Sequence, residues 1–184
     1  MTKSRISLWF LLFNLVALSA DVLPNYPLVK ASGKPFQLYD LKGQFVLVSF
    51  IFTRCPLQKM CPLTITLNQR VLAGLAKKKI APKTHLLFVT LDPEHDTAST
   101  LNKFAKARGL DQPTITLATG NSNALADLAS QFNVIGFPSA DSSLISHNLK
   151  TILLDPSFRT IKEFKDNEWA PKDVIDTILK ESRK

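Results

Sequence analysis

Apolar residues along this chain follow two kinds of spacing, and the switching between them predicts its elements. Phe45 to Phe52 reads FVLVSFIF, a nearly unbroken run rich in Val, Ile and Phe. Such a run suits a central strand covered on both faces. His85 to Leu91 (HLLFVTL) repeats the pattern. Shorter strands are expected at Phe36–Leu41, Thr114–Ala118, Lys150–Leu154 and Thr160–Phe164, the last two paired around the turn Asp155-Pro156-Ser157. Elsewhere the spacing becomes helical. Pro62–Lys79 carries Leu63, Leu67, Val71, Leu72 and Leu75 on one face, with Lys77-Lys78-Lys79 at the end where cations favour the helix dipole. Thr97–Arg108, stopped by Gly109, Asn123–Asn133 and Pro171–Leu179, opened by its proline, are the other helices. Asp21–Lys34, with Pro24, Pro27 and Gly33, reads as an extended lead-in. The order β-β-α-β-α-β-α-β-β-α predicts an α/β fold, a mixed central sheet flanked by helices.

The chain has 184 residues, 45% hydrophobic and 21% charged, a globular composition that excludes wholesale disorder, collagen and coiled coil. No repeat or linker divides it, so residues 21–184 are expected to form a single domain. Residues 1–20 stand apart. Lys3 and Arg5 precede Ile6–Ala20, an almost continuously apolar stretch with small residues at Ala17, Ser19 and Ala20. It falls short of the roughly 20 apolar residues that span a bilayer, so it reads as a signal peptide, with an uncleaved N-terminal anchor as the alternative. The expected location is therefore the periplasm or the outer face of the inner membrane. Lys and Arg (23) outnumber Asp and Glu (15), for a net charge of +8. The cations are dispersed apart from the lysine run and the C-terminal tail. That excludes a nucleic-acid face and reads as a solvated surface suited to acidic partners or anionic lipid headgroups.

The chemistry collects in Phe52-Thr53-Arg54-Cys55-Pro56-Leu57-Gln58-Lys59-Met60-Cys61-Pro62. Both cysteines fall between a buried strand and a helix N-terminus, the edge of an α/β sheet where active sites gather. The helix end, with Arg54 and Lys59, is expected to lower the thiol pKa values and favour thiolate. Outside the cytosol such a pair serves as a structural disulfide, a redox couple or a metal site. Glycine-rich phosphate loops and a GxSxG elbow are absent.

The run FTRCP…CP after a hydrophobic strand resembles the Sco/SenC family of thioredoxin-like copper proteins, which assist assembly of the copper centre of cytochrome c oxidase. Leu91-Asp92-Pro93-Glu94-His95-Asp96-Thr97 is similar to the family's Asp-Pro-Glu-x-Asp-Thr segment. Ser146-His147-Asn148, ahead of TILLD, resembles the segment carrying its histidine ligand, and Asn167-Glu168-Trp169 resembles some bacterial members. The resemblance implies a thioredoxin-like fold and a copper site formed by Cys55, Cys61 and His147. One feature departs: the family's cysteines are usually separated by three residues, whereas five intervene here, as in a divergent bacterial branch.

Two thiolates and an imidazole are a soft N/S set that suits Cu(I), and Cu(II) accepts the same ligands. Three ligands leave an open position for handover. Met60 reads as a packing residue, His85 as a strand-boundary residue, and His95 as solvated or paired with acid. Asp92 and Asp96 are candidates to orient His147, Asp96 alternatively as a helix cap. The leading expectation is an exported copper metallochaperone, acting as a monomer on a respiratory oxidase copper subunit or another copper or thiol protein. The alternative is a thiol–disulfide oxidoreductase using the Cys55/Cys61 couple.

Overall fold

A computed structural model describes residues 22–78, 82–138 and 145–183. Its strands are β1 (Pro27–Lys30), β2 (Pro35–Gln37), β3 (Phe45–Ile51), β4 (Thr84–Thr90), β5 (Ile115–Thr119), β6 (Gly136–Pro138), β7 (Ile145–His147), β8 (Lys150–Leu154) and β9 (Thr160–Lys165). The helices are α1 (Cys61–Ala76), α2 (Ala98–Ala107), α3 (Ser122–Ser130) and α4 (Pro171–Glu181). Seven strands form one sheet in the order β2-β1-β5-β4-β3-β8-β9. Its centre, β3-β4-β5, is parallel, and β8 pairs antiparallel with β3. The sheet is mixed and helix-flanked, as the patterning predicts.

All seven residues of β3 and all seven of β4 are buried, which is why both read as unbroken apolar runs. Side chains alternate between faces along a strand. Val46, Val48 and Phe50 therefore pack with Leu125, Leu128 and Phe132 on the α3 side. Phe45, Leu47 and Ile51 pack on the other side with Ile65, Val71, Leu101 and Val174 from α1, α2 and α4. Ser49 shares that second face, and its hydroxyl is satisfied by Thr151 at 2.9 Å and the Asn68 amide at 3.3 Å.

Three differences from the sequence patterning follow from local geometry. The strand expected to reach Leu41 stops at Gln37, and Leu38–Leu41 form a 3-10 turn that buries Leu38 and Leu41, three positions apart. The lead-in contains β1, which crosses onto Thr119 and Ala118 of β5. A separate two-stranded ribbon, β6 with β7, was not expected; its strands are three residues each, too short to show a period. Residues 1–20 lie outside the described residues. Among those described, no helix is long and apolar enough to cross a membrane.

Candidate metal centre

Because β3 and β4 run parallel, their carboxyl ends open on the same edge of the sheet. There the chain leaving β3 is fastened to the segment leaving β4. Asp96, fully buried, accepts hydrogen bonds from the Thr53 N–H at 3.0 Å, the Thr53 hydroxyl at 2.5 Å and the Thr90 hydroxyl at 2.6 Å. Beside it Asp92 takes Arg54 Nη2 at 2.8 Å and His95 Nδ1 at 2.9 Å. Burial alone works against ionisation of Asp92, but the bonds from His95 and Arg54 outweigh it and hold the carboxyl below its usual range.

Beyond Arg54 the chain forms the cysteine loop. The Cys55 N–H reaches Phe52 O at 3.3 Å, and the Met60 N–H reaches Leu57 O at 2.9 Å. Cys61 then opens α1, with Pro62 in the first turn. It faces inward and is only 1% exposed. On the far side, the β6–β7 ribbon delivers His147, also buried, with the Phe52 ring edge-on at 5.8 Å between centroids.

Cys61 Sγ and His147 Nε2 are 4.0 Å apart, across 86 residues of sequence. The other ring nitrogen, Nδ1, donates to Asn148 O at 3.0 Å. That bond fixes the tautomer, leaving the Nε2 lone pair toward the sulfur, the form in which imidazole ligates metals. Burial lowers the His147 pKa against the raising effect of the Asn148 carbonyl, which keeps the ring neutral at pH 7.

Cys61 departs from expectation. Its thiol is pushed up to about 12, chiefly by burial, with the neighbouring Cys55 adding to the rise and the Phe52 backbone N–H opposing it. The helix end does not win here because the sulfur is sealed from water. Of the two cations expected to help, Arg54 is committed to Asp92 and Lys59 is exposed on the loop.

Cys55 is half-buried, with Sγ 3.9 Å from Leu57 O, and both thiols are free. Among the described residues, no three His, Cys, Asp or Glu side chains converge on a common point as they stand. Cys61 and His147 are brought together, and Cys55 lies beside Cys61, close enough to act on its thiol. The Cys61–His147 pair itself fits an ion. With metal–sulfur and metal–nitrogen bonds of about 2.3 and about 2.0 Å, a 4.0 Å separation corresponds to a ligand–metal–ligand angle of roughly 135°. That is open enough for a third ligand beside them.

The remaining candidates are placed otherwise. His85 lies inside β4, buried, bonded to Thr116 Oγ1 at 2.9 Å, so it is a core residue rather than a boundary one. His95 is paired with acid, as expected. Neither Asp92 nor Asp96 orients His147; the Asn148 carbonyl does. Nor does Asp96 cap α2, since that role belongs to Thr97, whose side chain accepts from Thr100 N. Two contributors stand in segments singled out from the sequence but were given no role there: Phe52, the wall against the imidazole, and Asn167, which donates to Lys59 O at 3.0 Å and Met60 O at 3.1 Å.

The same arrangement of sheet, cysteine loop and histidine ribbon can be set against known proteins. A SCO2-like protein of Rickettsia conorii is 26% identical over 162 residues, 85% of this chain and 75% of that protein. The copper-bound structure of Arabidopsis thaliana ScoI aligns with a TM-score of 0.77 at 21% identity, covering 89% of this chain and 99% of its own. BsSco, a member of the Sco family of cytochrome c oxidase assembly proteins in which a disulfide switch has been identified, aligns at 0.73 and 24% identity over 88% of this chain and 94% of its own. These likenesses establish the thioredoxin-like fold, and the SCO1/SenC family model matches residues 17–182. With that match running through both cysteines and the histidine, the chain belongs to the SCO1/SenC family.

Proposed function

We propose that this protein is an exported copper carrier, in which Cys55, Cys61 and His147 take up one copper ion as cargo and release it to the copper subunit of a respiratory cytochrome oxidase. The observation that carries the reading is the buried approach of Cys61 Sγ to His147 Nε2, a soft sulfur and a neutral imidazole held 4.0 Å apart by a helix start and a ribbon. Such a donor pair suits Cu(I), and a second thiolate completes a three-ligand set with an open side. The copper-bound ScoI neighbour and the oxidase-assembly role named for BsSco's family support the same cargo and destination. Residues 1–20 serve as the export signal, and residues 21–184 act as one domain.

Uptake displaces the Cys61 proton, since a thiol must be deprotonated to ligate. Asn148 holds the imidazole in the ligating tautomer, and Phe52 keeps water from the pair. Cys55 closes over the ion from its loop. Reduced protein is expected to bind about one Cu(I) per chain in competition with a chromogenic chelator. His147→Ala should weaken binding, and Cys55→Ser or Cys61→Ser should weaken it more. Unchanged affinity in all three variants would refute the shared site. An oxidoreductase would instead show rapid exchange with a protein disulfide and no copper binding.

A further inference from the structure

The loop joining β3 to α1 is secured at both ends and little between. At its start Thr53 is held by Asp96 and Arg54 by Asp92. Its end is secured from a distant part of the chain. After β9 the backbone reverses at Asp166, whose φ of 52° is left-handed and whose N–H donates to Leu149 O at 3.0 Å. This turn aims Asn167 at the start of α1. The amide nitrogen donates to the carbonyl oxygens of Lys59 and Met60 at 3.0 and 3.1 Å, and its oxygen accepts from the Thr64 hydroxyl at 3.0 Å. Met60 is the N-cap of α1, yet no side chain caps it and the first turn holds no acid. Asn167 leaves the first-turn N–H groups uncapped and instead ties down the backbone entering the helix through the carbonyl oxygens of Lys59 and Met60, from over a hundred positions away. Pro56, Leu57, Gln58 and Lys59, by contrast, are exposed, Leu57 by 54%.

We propose that Asn167 is a positioning residue, clipping the end of the cysteine loop so that Cys61 stays in register with His147. The proposal rests on the reading of Cys55, Cys61 and His147 as one site. Asn167 touches neither sulfur in this role; it acts through the backbone at residues 59–60, next to Cys61.

The test is site-resolved alkylation of the reduced full chain with iodoacetamide, read by peptide mass, alongside urea unfolding and Cu(I) affinity. Asn167→Asp keeps the shape and the Thr64 bond but turns an oxygen toward two carbonyl oxygens; Asn167→Ala removes the clip outright. Loss of the clip is expected to raise the rate at Cys61 relative to Cys55 by about tenfold or more in both variants, since both bonds donated by the Asn167 amide are lost and each is worth a few-fold in a local opening equilibrium. A merely structural role would raise that ratio only by the factor by which global unfolding becomes easier, because the half-exposed Cys55 reacts without unfolding. Urea unfolding of the same variants gives that factor, and a rise no larger than it overturns the proposal. So does failure of both variants to fold, which would make Asn167 a requirement of the fold instead. Alkylation needs no metal. Absence of copper binding in the unaltered protein would therefore refute the carrier reading without deciding this one.

Discussion

Replacing Asp96 probes the other anchor of the cysteine loop, and its cost can be worked from its contacts. The carboxylate is 0% exposed and accepts three hydrogen bonds, two of them from Thr53 and one from Thr90. Bonds to a charged acceptor are each worth about 1.5–3 kcal/mol, against about 0.5–1.5 for neutral pairs. Asp96→Asn preserves shape and one acceptor oxygen, and the Thr53 hydroxyl can turn to accept from the new amide. That variant loses charge assistance only, for an expected cost of roughly 1–3 kcal/mol. Asp96→Ala leaves the Thr53 N–H without a partner, and an N–H cannot turn away as a hydroxyl can. It should cost roughly 3–5 kcal/mol, lowering the melting temperature by about 6–20 °C for a domain of this size. Asp92→Ala is the internal contrast. Its partners Arg54 and His95 are 36% and 51% exposed and can be rehydrated when it is removed, so this variant should cost less than Asp96→Ala, roughly 1–2 kcal/mol. Urea unfolding of the three variants at neutral pH measures these values. If Asp96→Ala lost no more than the ±0.5 kcal/mol typical of surface substitutions, Asp96 would not be what fastens the loop.

Two further predictions concern pH and redox state. Burial, with the Lys30 charge adding to it, lowers the His85 pKa from its ordinary 6.5 to about 4. The unfolded chain therefore binds a proton that the folded chain refuses; stability from this group is full above pH 6.5 and falls as pH drops toward 4, by about 2 kcal/mol between pH 7 and pH 5. Urea titrations across that window should show the loss and His85→Gln should flatten it; an equal slope in the variant would assign the effect elsewhere. Oxidising Cys55 and Cys61 to a disulfide with diamide removes two thiols and should abolish Cu(I) uptake, with recovery on reduction; uptake by the oxidised protein would exclude both sulfurs as ligands.

The parts of this fold that were legible in the sequence are those where one physical cause dominates. β3 and β4 are covered on both faces, so their apolar runs identify them as central strands without help from neighbours. The two cysteines sit at a strand end before a proline-opened helix, and that placement alone marks the site. What was not legible depends on contacts between remote segments. The ribbon carrying His147 has three-residue strands, too short for periodicity, and only the family resemblance singled out its histidine. The partner of His147 is a backbone carbonyl at Asn148, which every residue type could supply, so no side chain announces it. Asn167 reaches its targets across 107 and 108 positions.

The missed thiol pKa shows why depth matters more than local charge at this site. Helix position, Arg54 and Lys59 are visible in the sequence, and each argues for a thiolate. Burial of Cys61 behind Phe52 and the His147 ribbon is visible only once the sheet is assembled, and it reverses the sign. A neutral, sealed thiol beside a neutral imidazole makes a poor nucleophile, because thiolate is the attacking species. The same pair is a serviceable metal site, since an arriving cation supplies the charge that burial withholds and displaces the proton directly. Of the two roles weighed for Cys55 and Cys61, the buried geometry thus favours ligation over catalysis at Cys61, and leaves the more exposed Cys55 as the thiol through which a partner can gain access.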